Sequence, residues 1–101
     1  MIRNAYLKKV EVRLERLGED IESLAKKAES ASADVRDVVA RQIAVLQSKA
    51  ETARDRIKVV REAGEMNWGL LKKGADDALD DLKQAVDNTV QRFRKTGSGK
   101  R

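Results

Sequence analysis

Apolar residues recur along the first third of this chain at gaps that alternate between three and four. The series is Leu7, Val10, Leu14, Leu17, Ile21, Leu24, Ala28, Ala31, Val35 and Val38. This spacing is the heptad seam of a coiled coil, in which one face of each helix packs against a neighbour. The pattern therefore predicts a long amphipathic helix at the start of the chain.

The seam then moves by one residue and continues in two further stretches. The second stretch contains Val39, Ile43, Leu46, Ala50, Ala53, Ile57, Val60 and Gly64, and the third contains Trp68, Leu71, Ala75, Ala78, Leu82, Val86, Val90 and Phe93. Each of the three stretches has about 30 residues, or roughly 45 Å of helix at ~1.5 Å per residue. The sequence thus predicts an all-α protein built as an antiparallel coiled coil or helical bundle.

A hairpin turn is predicted near Gly64, between the second and third stretches. Gly64 can adopt the left-handed conformation that often ends a helix, and Asn67 can cap the helix that follows. Folding the chain back about Gly64 sets small seam residues opposite small ones and large residues opposite large ones. This match of sizes favours a hairpin.

Residues 30–34 form a second candidate turn, with Ser32 or Asp34 as the cap of a new helix. With a turn here, the chain is a bundle of three segments of about 30 residues each. Without it, one long helix from about residue 3 to residue 62 carries a shorter return helix. The N-terminal half of that long helix then needs a second subunit. The sequence leaves both topologies open.

The composition narrows the possible functions. Charged residues make up 39% of the chain and aromatic residues 3%, and there is no Cys, His or Pro. Without Cys and His there is no disulfide, no zinc site of the usual ligand types and no imidazole general base. We therefore predict no catalytic, cofactor-binding or metal-binding residues and expect a protein that is not an enzyme.

The net charge of +5 is not spread evenly. Residues 1–91 hold 17 basic and 17 acidic residues, so the remaining five basic residues all lie in residues 92–101. They are Arg92, Arg94, Lys95, Lys100 and Arg101. We expect a coiled-coil domain over residues 1–95 and a flexible basic tail over residues 96–101. Such a tail suits the phosphates of anionic lipids or of nucleic acid, but the helical body has no basic stripe with interleaved aromatics, so nucleic acid is less favoured.

Association is the function that the seam itself predicts. Any part of the seam that stays unpaired within one chain would recruit a second copy or another helical protein. The partner of the first stretch is the least defined, so the predicted association seam consists of Leu7, Leu14, Leu17, Ile21 and Leu24. This interpretation makes the protein a scaffold that works by self-association.

The alternative function is reversible binding to anionic membrane surfaces through amphipathic helices and the basic C-terminal tail. The region after the hairpin turn combines apolar and basic residues that suit a membrane interface or a protein partner, namely Met66, Trp68, Leu70, Lys72 and Lys73. No apolar run approaches the roughly 20 residues of a membrane span, and the first residues lack the apolar core of a signal peptide. We therefore expect a cytoplasmic protein.

Four carboxylates lie within two turns of the third stretch, at Asp76, Asp77, Asp80 and Asp81. They could form a weak site for a hard cation or a docking patch for a basic partner. The simpler interpretation is a solvated helix face, where acidic residues near the start of a helix interact favourably with its dipole.

Several segments together resemble a family of small bacterial coiled-coil proteins that are described as stress-response or uncharacterised proteins. The resemblance is carried by Tyr6-Leu7-Lys8, the segment 25–34, Gln42-Ile43 with Leu46, the segment 64–72 with Trp68, Gly74-Ala75 and Arg92-Phe93. The same segments are similar to the amphipathic repeats of apolipoproteins. The resemblance implies a non-enzymatic, oligomeric helical protein, and it supplies no catalytic residues.

Overall fold

A computed structural model describes residues 2–98 of the chain, with side chains for residues 2–94. It contains the helices α1 (Ile2–Glu29), α2 (Ala33–Glu62) and α3 (Trp68–Ser98). The three helices pack against one another in a bundle 55 Å long and 16–18 Å across. The prediction of an all-α helical bundle is confirmed.

The turn between α1 and α2 decides between the two topologies that the sequence left open. Helix α1 ends at Glu29 and α2 begins at Ala33, so only residues 30–32 join them. The backbone N–H of Ser30 donates to the Lys27 carbonyl at 3.2 Å, and Ser32 is extended, with φ −63° and ψ 162°. The chain therefore reverses here, and within one subunit it forms three helices.

The hairpin turn between α2 and α3 lies where the sequence predicted it, but its geometry differs. Gly64 is not left-handed, because no described glycine has a positive φ. Instead the extended residue Ala63, with ψ 154°, ends α2. The Gly64 carbonyl then accepts hydrogen bonds from the N–H groups of Asn67 and Trp68, at 3.0 and 3.1 Å. The prediction of a left-handed cap was wrong, since an extended residue before the glycine already redirects the chain.

The core of α1 and α2 follows the predicted seam closely. In α1 the buried residues are Leu7, Val10, Leu17, Ile21, Leu24 and Ala28, and in α2 they are Val39, Ile43, Leu46, Ala50, Ala53, Ile57 and Val60. Leu14 and Val35 are half-buried against this core. Val38, predicted as the end of the first series, is 54% exposed. It belongs to α2, where its neighbour Val39 takes the core position.

The buried face of α3 is broader than a two-helix seam. It contains Ala75, Leu79, Leu82, Val86 and Thr89. The seam prediction missed Leu79 and Thr89, whereas its members Ala78 and Val90 are half-buried and Leu71 is 38% exposed. The reason is that α3 packs against both α1 and α2, so two adjacent stripes of its surface leave the solvent.

Thr89 is the one buried polar residue of the part of the chain that the structure describes, and its hydroxyl is satisfied locally. The Oγ1 hydroxyl donates to the Ala85 carbonyl at 2.9 Å, one turn earlier in the same helix. At its C-terminus α3 continues to Ser98, three residues past the predicted boundary at residues 95 and 96. Residues 99–101 of the predicted tail lie outside the described part of the chain.

Candidate interaction site at the hairpin end

One end of the bundle combines the start of α1 with the turn between α2 and α3. We call residues 2–9 and 61–73 the hairpin end. The Arg3 guanidinium donates to the Ala63 carbonyl and lies 3.7 Å from the Glu65 carboxylate. These contacts span about 60 positions of sequence. Arg3 therefore fastens the first turn of α1 to the hairpin turn.

Tyr6 makes the second attachment between α1 and the start of α3. Its hydroxyl donates to the Asp76 carboxylate at 2.7 Å and lies 3.1 Å from the Lys72 carbonyl. Its ring centroid is 5.9 Å from that of Trp68, and the Lys72 ammonium is 5.2 Å from the Tyr6 ring centroid. Burial, and then the hydrogen bond to Asp76, raise the pKa of Tyr6, so the hydroxyl stays a donor.

The three most exposed large apolar residues of the described chain all lie at the hairpin end. Met66 is 89% exposed, Leu70 80% and Ile2 79%. Met66 lies within the turn. Leu70 is five residues before buried Ala75, and Ile2 is five residues before buried Leu7. A five-residue step rotates a helix position by about 140°, which directs both side chains away from the core.

A shallow groove along α1, which Lys72 of α3 also lines, begins at the hairpin end and is strongly basic. Its lining includes five basic residues and no acidic one, and the basic residues are Lys8, Lys9, Arg13, Arg16 and Lys72. The apolar residues Ile2 and Val12 also line it. The groove thus offers basic and apolar groups side by side.

The charge of the hairpin end is positive as a whole. Residues 2–9 and 61–73 contain six basic and two acidic residues, a net charge of +4. Ion pairs engage some of the bases, such as Lys73 with Asp77 at 3.0 Å. Among the described residues, no ion pair includes Lys8, Lys9 or Lys72. These three ammonium groups are exposed and suit a negatively charged partner.

The residues after the hairpin turn that were predicted to contact a membrane or a protein partner all lie at this end of the bundle. Met66, Leu70, Lys72 and Lys73 are exposed, whereas Trp68 is half-buried against the core. Sequence reasoning missed Ile2 and the basic groove along α1. The signal was present, because Ile2, Lys9 and Arg16 recur at seven-residue steps on the face opposite the seam. Only the fold shows that this face adjoins the hairpin turn.

The predicted association seam is occupied within the chain. Leu7, Leu17, Ile21 and Leu24 are buried in the core of the bundle. Leu14 is half-buried and lines a groove between α1 and α2 beside Gly18. In this conformation the seam is paired with α2 and α3 and is not available to a second chain.

The described basic residues near the C-terminus, Arg92 and Arg94, lie away from the hairpin end. Helix α3 starts at the hairpin end and runs to the opposite end, so Arg94 is 26 residues, or about 39 Å of helix, from Trp68. Arg92 and Arg94 are exposed on its last described turns. The side chain of Lys95, and Lys100 and Arg101 as a whole, lie outside the described part of the chain. Among the described residues, those predicted to contact a membrane thus form two separate groups.

The four clustered carboxylates each have a partner in the bundle. Asp76 accepts from Tyr6, Asp77 pairs with Lys73, and Asp80 pairs with Arg13 at 3.1 Å. Asp81 pairs with Lys49 at 2.7 Å. Among the described residues, no group of acidic side chains is arranged to hold a metal ion. The cluster joins α3 to its two neighbours.

The comparisons with known proteins found no matching family, no matching curated protein and no matching solved structure. In the part of the chain that the structure describes, no helix has a segment both long and apolar enough to cross a membrane.

Proposed function

We propose that this protein is a non-enzymatic helical bundle that binds anionic membrane surfaces with its hairpin end. The observation that carries the proposal is the position of Met66, Leu70 and Ile2. These are the most exposed large apolar side chains of the described chain, and all three belong to the hairpin end, whose net charge is +4. Ile2 also lines the basic groove.

The chemistry of this end suits an interface between lipid headgroups and acyl chains. Full burial of an exposed Met or Leu side chain is worth about 1.5–3 kcal/mol, so partial insertion of two or three such residues supports reversible binding. Each Lys or Arg near an anionic membrane adds roughly 1 kcal/mol. Anionic lipids are concentrated in the cytoplasmic leaflet, so the proposal includes a cytoplasmic location.

Vesicle binding tests this function directly. The full chain is mixed at low salt with vesicles of phosphatidylcholine and phosphatidylserine, and bound protein is measured by co-sedimentation. Trp68 is the only tryptophan of the chain, and its fluorescence reports contact at the hairpin end. The variant Met66→Ser/Leu70→Ser removes two exposed apolar groups and is expected to weaken binding by about 30-fold.

The matched control is Val38→Ser/Val45→Ser, which also removes two exposed apolar residues but lies outside the hairpin end. It is expected to bind vesicles like the natural chain. Failure of the natural chain to bind anionic vesicles at low salt overturns the proposal. Equal vesicle binding by the two double variants also overturns the proposal, since the membrane contact would then lie outside the hairpin end.

A second candidate function is self-association as a scaffold through the seam of α1. The observation that favours it is the turn at residues 30–32, in which no described side chain forms a hydrogen bond or an ion pair. Because the seam is buried in the closed bundle, association through it requires α1 to separate from α2 and α3 of the same chain. A link to stress responses stays a prediction from the resemblance.

A further inference from the structure

We propose that two copies of this chain exchange α1. In the exchanged dimer, residues 30–32 become helical and join α1 and α2 into one long helix. The α1 half of each long helix then packs on α2 and α3 of the other copy. This inference rests on the second candidate function, self-association through the seam, and does not require membrane binding.

The turn at residues 30–32 has the properties of a hinge. Its sequence, Ser30-Ala31-Ser32, contains no Gly or Pro, so it is compatible with a helix. Ser32 occupies the cap position of α2, yet its side chain makes no capping hydrogen bond. The turn is held by local backbone bonds, such as the one from Ala31 N–H to the Ala28 carbonyl at 3.1 Å.

A straight helix through this hinge keeps the buried residues on one face. Ile21 and Val39 are 18 residues apart, and so are Ala28 and Leu46. Eighteen residues make five full turns of an α-helix at 3.6 residues per turn. The core positions of α1 and α2 therefore line up along one side when the turn straightens, and a long helix of this kind has a continuous apolar seam.

The register of the two seams is self-complementary. Read outward from the turn, the α1 seam and the α2 seam have the same gaps of four and three. The residue numbers of matching members add up to 67 in every case: Leu7 with Val60, Val10 with Ile57, Leu14 with Ala53, Leu17 with Ala50, Ile21 with Leu46, Leu24 with Ile43 and Ala28 with Val39. Two antiparallel copies of the long helix can thus align all seven pairs about a two-fold axis.

Two ion pairs of α1 can also form equally well within one chain or between two chains. Glu11 pairs with Arg61 of α2, and Arg13 pairs with Asp80 of α3. When α1 comes from a second copy, both pairs form between chains with no change in the residues involved. The closed and exchanged forms then differ mainly in the hinge, which is the condition under which domain exchange has a low cost.

A proline at the hinge distinguishes the two forms. Ala33 is the first residue of α2, a position that accepts proline, and the extended Ser32 before it has the backbone that proline favours. In the long helix the same proline lies in the interior. Each interior proline costs about 3 kcal/mol, so two of them lower the dimer association constant by about 10⁴-fold.

The experiment measures mass by light scattering after unfolding and refolding at high protein concentration. The natural chain is expected to give a species of twice the chain mass of 11.3 kDa. Ala33→Pro is expected to remain a monomer with unchanged helical circular dichroism. Ser30→Ala/Ser32→Ala favours the straight helix and is expected to raise the dimer association constant at least about tenfold.

A cross-link identifies exchange even if Ala33→Pro fails to fold. The chain has no cysteine, and the long side chains of Glu11 and Arg61 meet in an ion pair, so the thiols of Glu11→Cys/Arg61→Cys lie within reach of a short bis-maleimide cross-linker. In exchanged dimers the cross-link joins two chains, and a covalent dimer appears on a denaturing gel. If isolated dimers give cross-links only within single chains, exchange is refuted but self-association is retained. Strict monomers at every concentration refute both.

Discussion

The two turns of this bundle hold their helices in different ways. The hairpin turn at residues 63–67 is braced from outside, because Arg3 contacts Ala63 and Glu65 and because Tyr6 contacts Trp68 and Asp76. The turn at residues 30–32 has local backbone bonds, and none of its described side chains forms a hydrogen bond. Among the described residues, long-range side-chain contacts thus brace the hairpin turn, whereas local backbone bonds and helix packing hold the turn at residues 30–32.

This contrast has a consequence for function. The braced end exposes Met66, Leu70 and Ile2 beside the side-chain contacts of Arg3 and Tyr6, which suits a preorganised contact surface. Among the described residues, the turn at residues 30–32 has no side-chain hydrogen bond of its own, which suits a hinge. The proposed membrane contact and the proposed hinge therefore lie at opposite ends of the bundle.

The largest expected effect that sharpens this comparison comes from replacing one half-buried aromatic residue at each end, Trp68 and Phe93. Trp68→Ala removes the packing on Tyr6 and on the core and is expected to lower the free energy of unfolding by about 2–3 kcal/mol. Phe93→Ala at the opposite end is expected to cost about half as much, since Phe is smaller and no ring contact of Phe93 is present among the described residues. Urea denaturation of both variants measures the difference. A larger loss for Phe93→Ala would contradict the view that the hairpin end is the better braced one.

A smaller loss of stability is expected when one hydroxyl is removed near each turn. Tyr6→Phe removes the hydrogen bond to Asp76 and is expected to cost about 1 kcal/mol. Ser32→Ala removes a cap residue whose side chain makes no bond, so it is expected to cost much less than the ~1 kcal/mol of an ordinary cap. Thermal unfolding at one pH compares the two variants. If Ser32→Ala costs as much as Tyr6→Phe, then the turn at residues 30–32 is braced and is not a free hinge.

The smallest effect concerns Gly64. A Cβ atom added there has no neighbour within 4 Å, and the residue does not have a positive φ. Gly64→Ala is therefore expected to be neutral or to stabilise the fold by up to about 1 kcal/mol, because it reduces the entropy of the unfolded chain. Asn67→Ala serves as a comparison within the same turn. A clear loss of stability in Gly64→Ala would restore the left-handed cap that the sequence had suggested.

Much of the fold follows from periodicity. The alternating gaps predicted three amphipathic helical stretches and the hairpin near Gly64. Apolar residues that recur every three to four positions form one face of a helix, and that face is buried against a neighbour. The same reasoning failed for Leu79 and Thr89. Periodicity identifies the centre of an apolar face, but the width of that face depends on how many neighbours a helix has.

The candidate site was predicted only in part. Met66, Leu70, Lys72 and Lys73 are adjacent in sequence, so their pattern could be recognised before the fold was known. Ile2 and Arg3 are about 60 residues away, and nothing local indicates that they belong to the same surface. Conversely, the sequence assigns both the hairpin residues and the basic tail to membrane binding, although α3 carries Arg92 and Arg94 to the opposite end.

The sequence by itself determined the helices, their seams and a charge-balanced body that ends in five basic residues, because periodicity and composition are properties of the chain. The tertiary structure decided whether residues 30–34 bend, which face of α3 is buried and which end gathers the exposed apolar groups. Those outcomes depend on contacts between residues far apart in sequence. The turn at residues 30–32 shows the reason most directly: its residues suit both a bend and a helix, so the packing of α1 on α2 and α3 selects the bend.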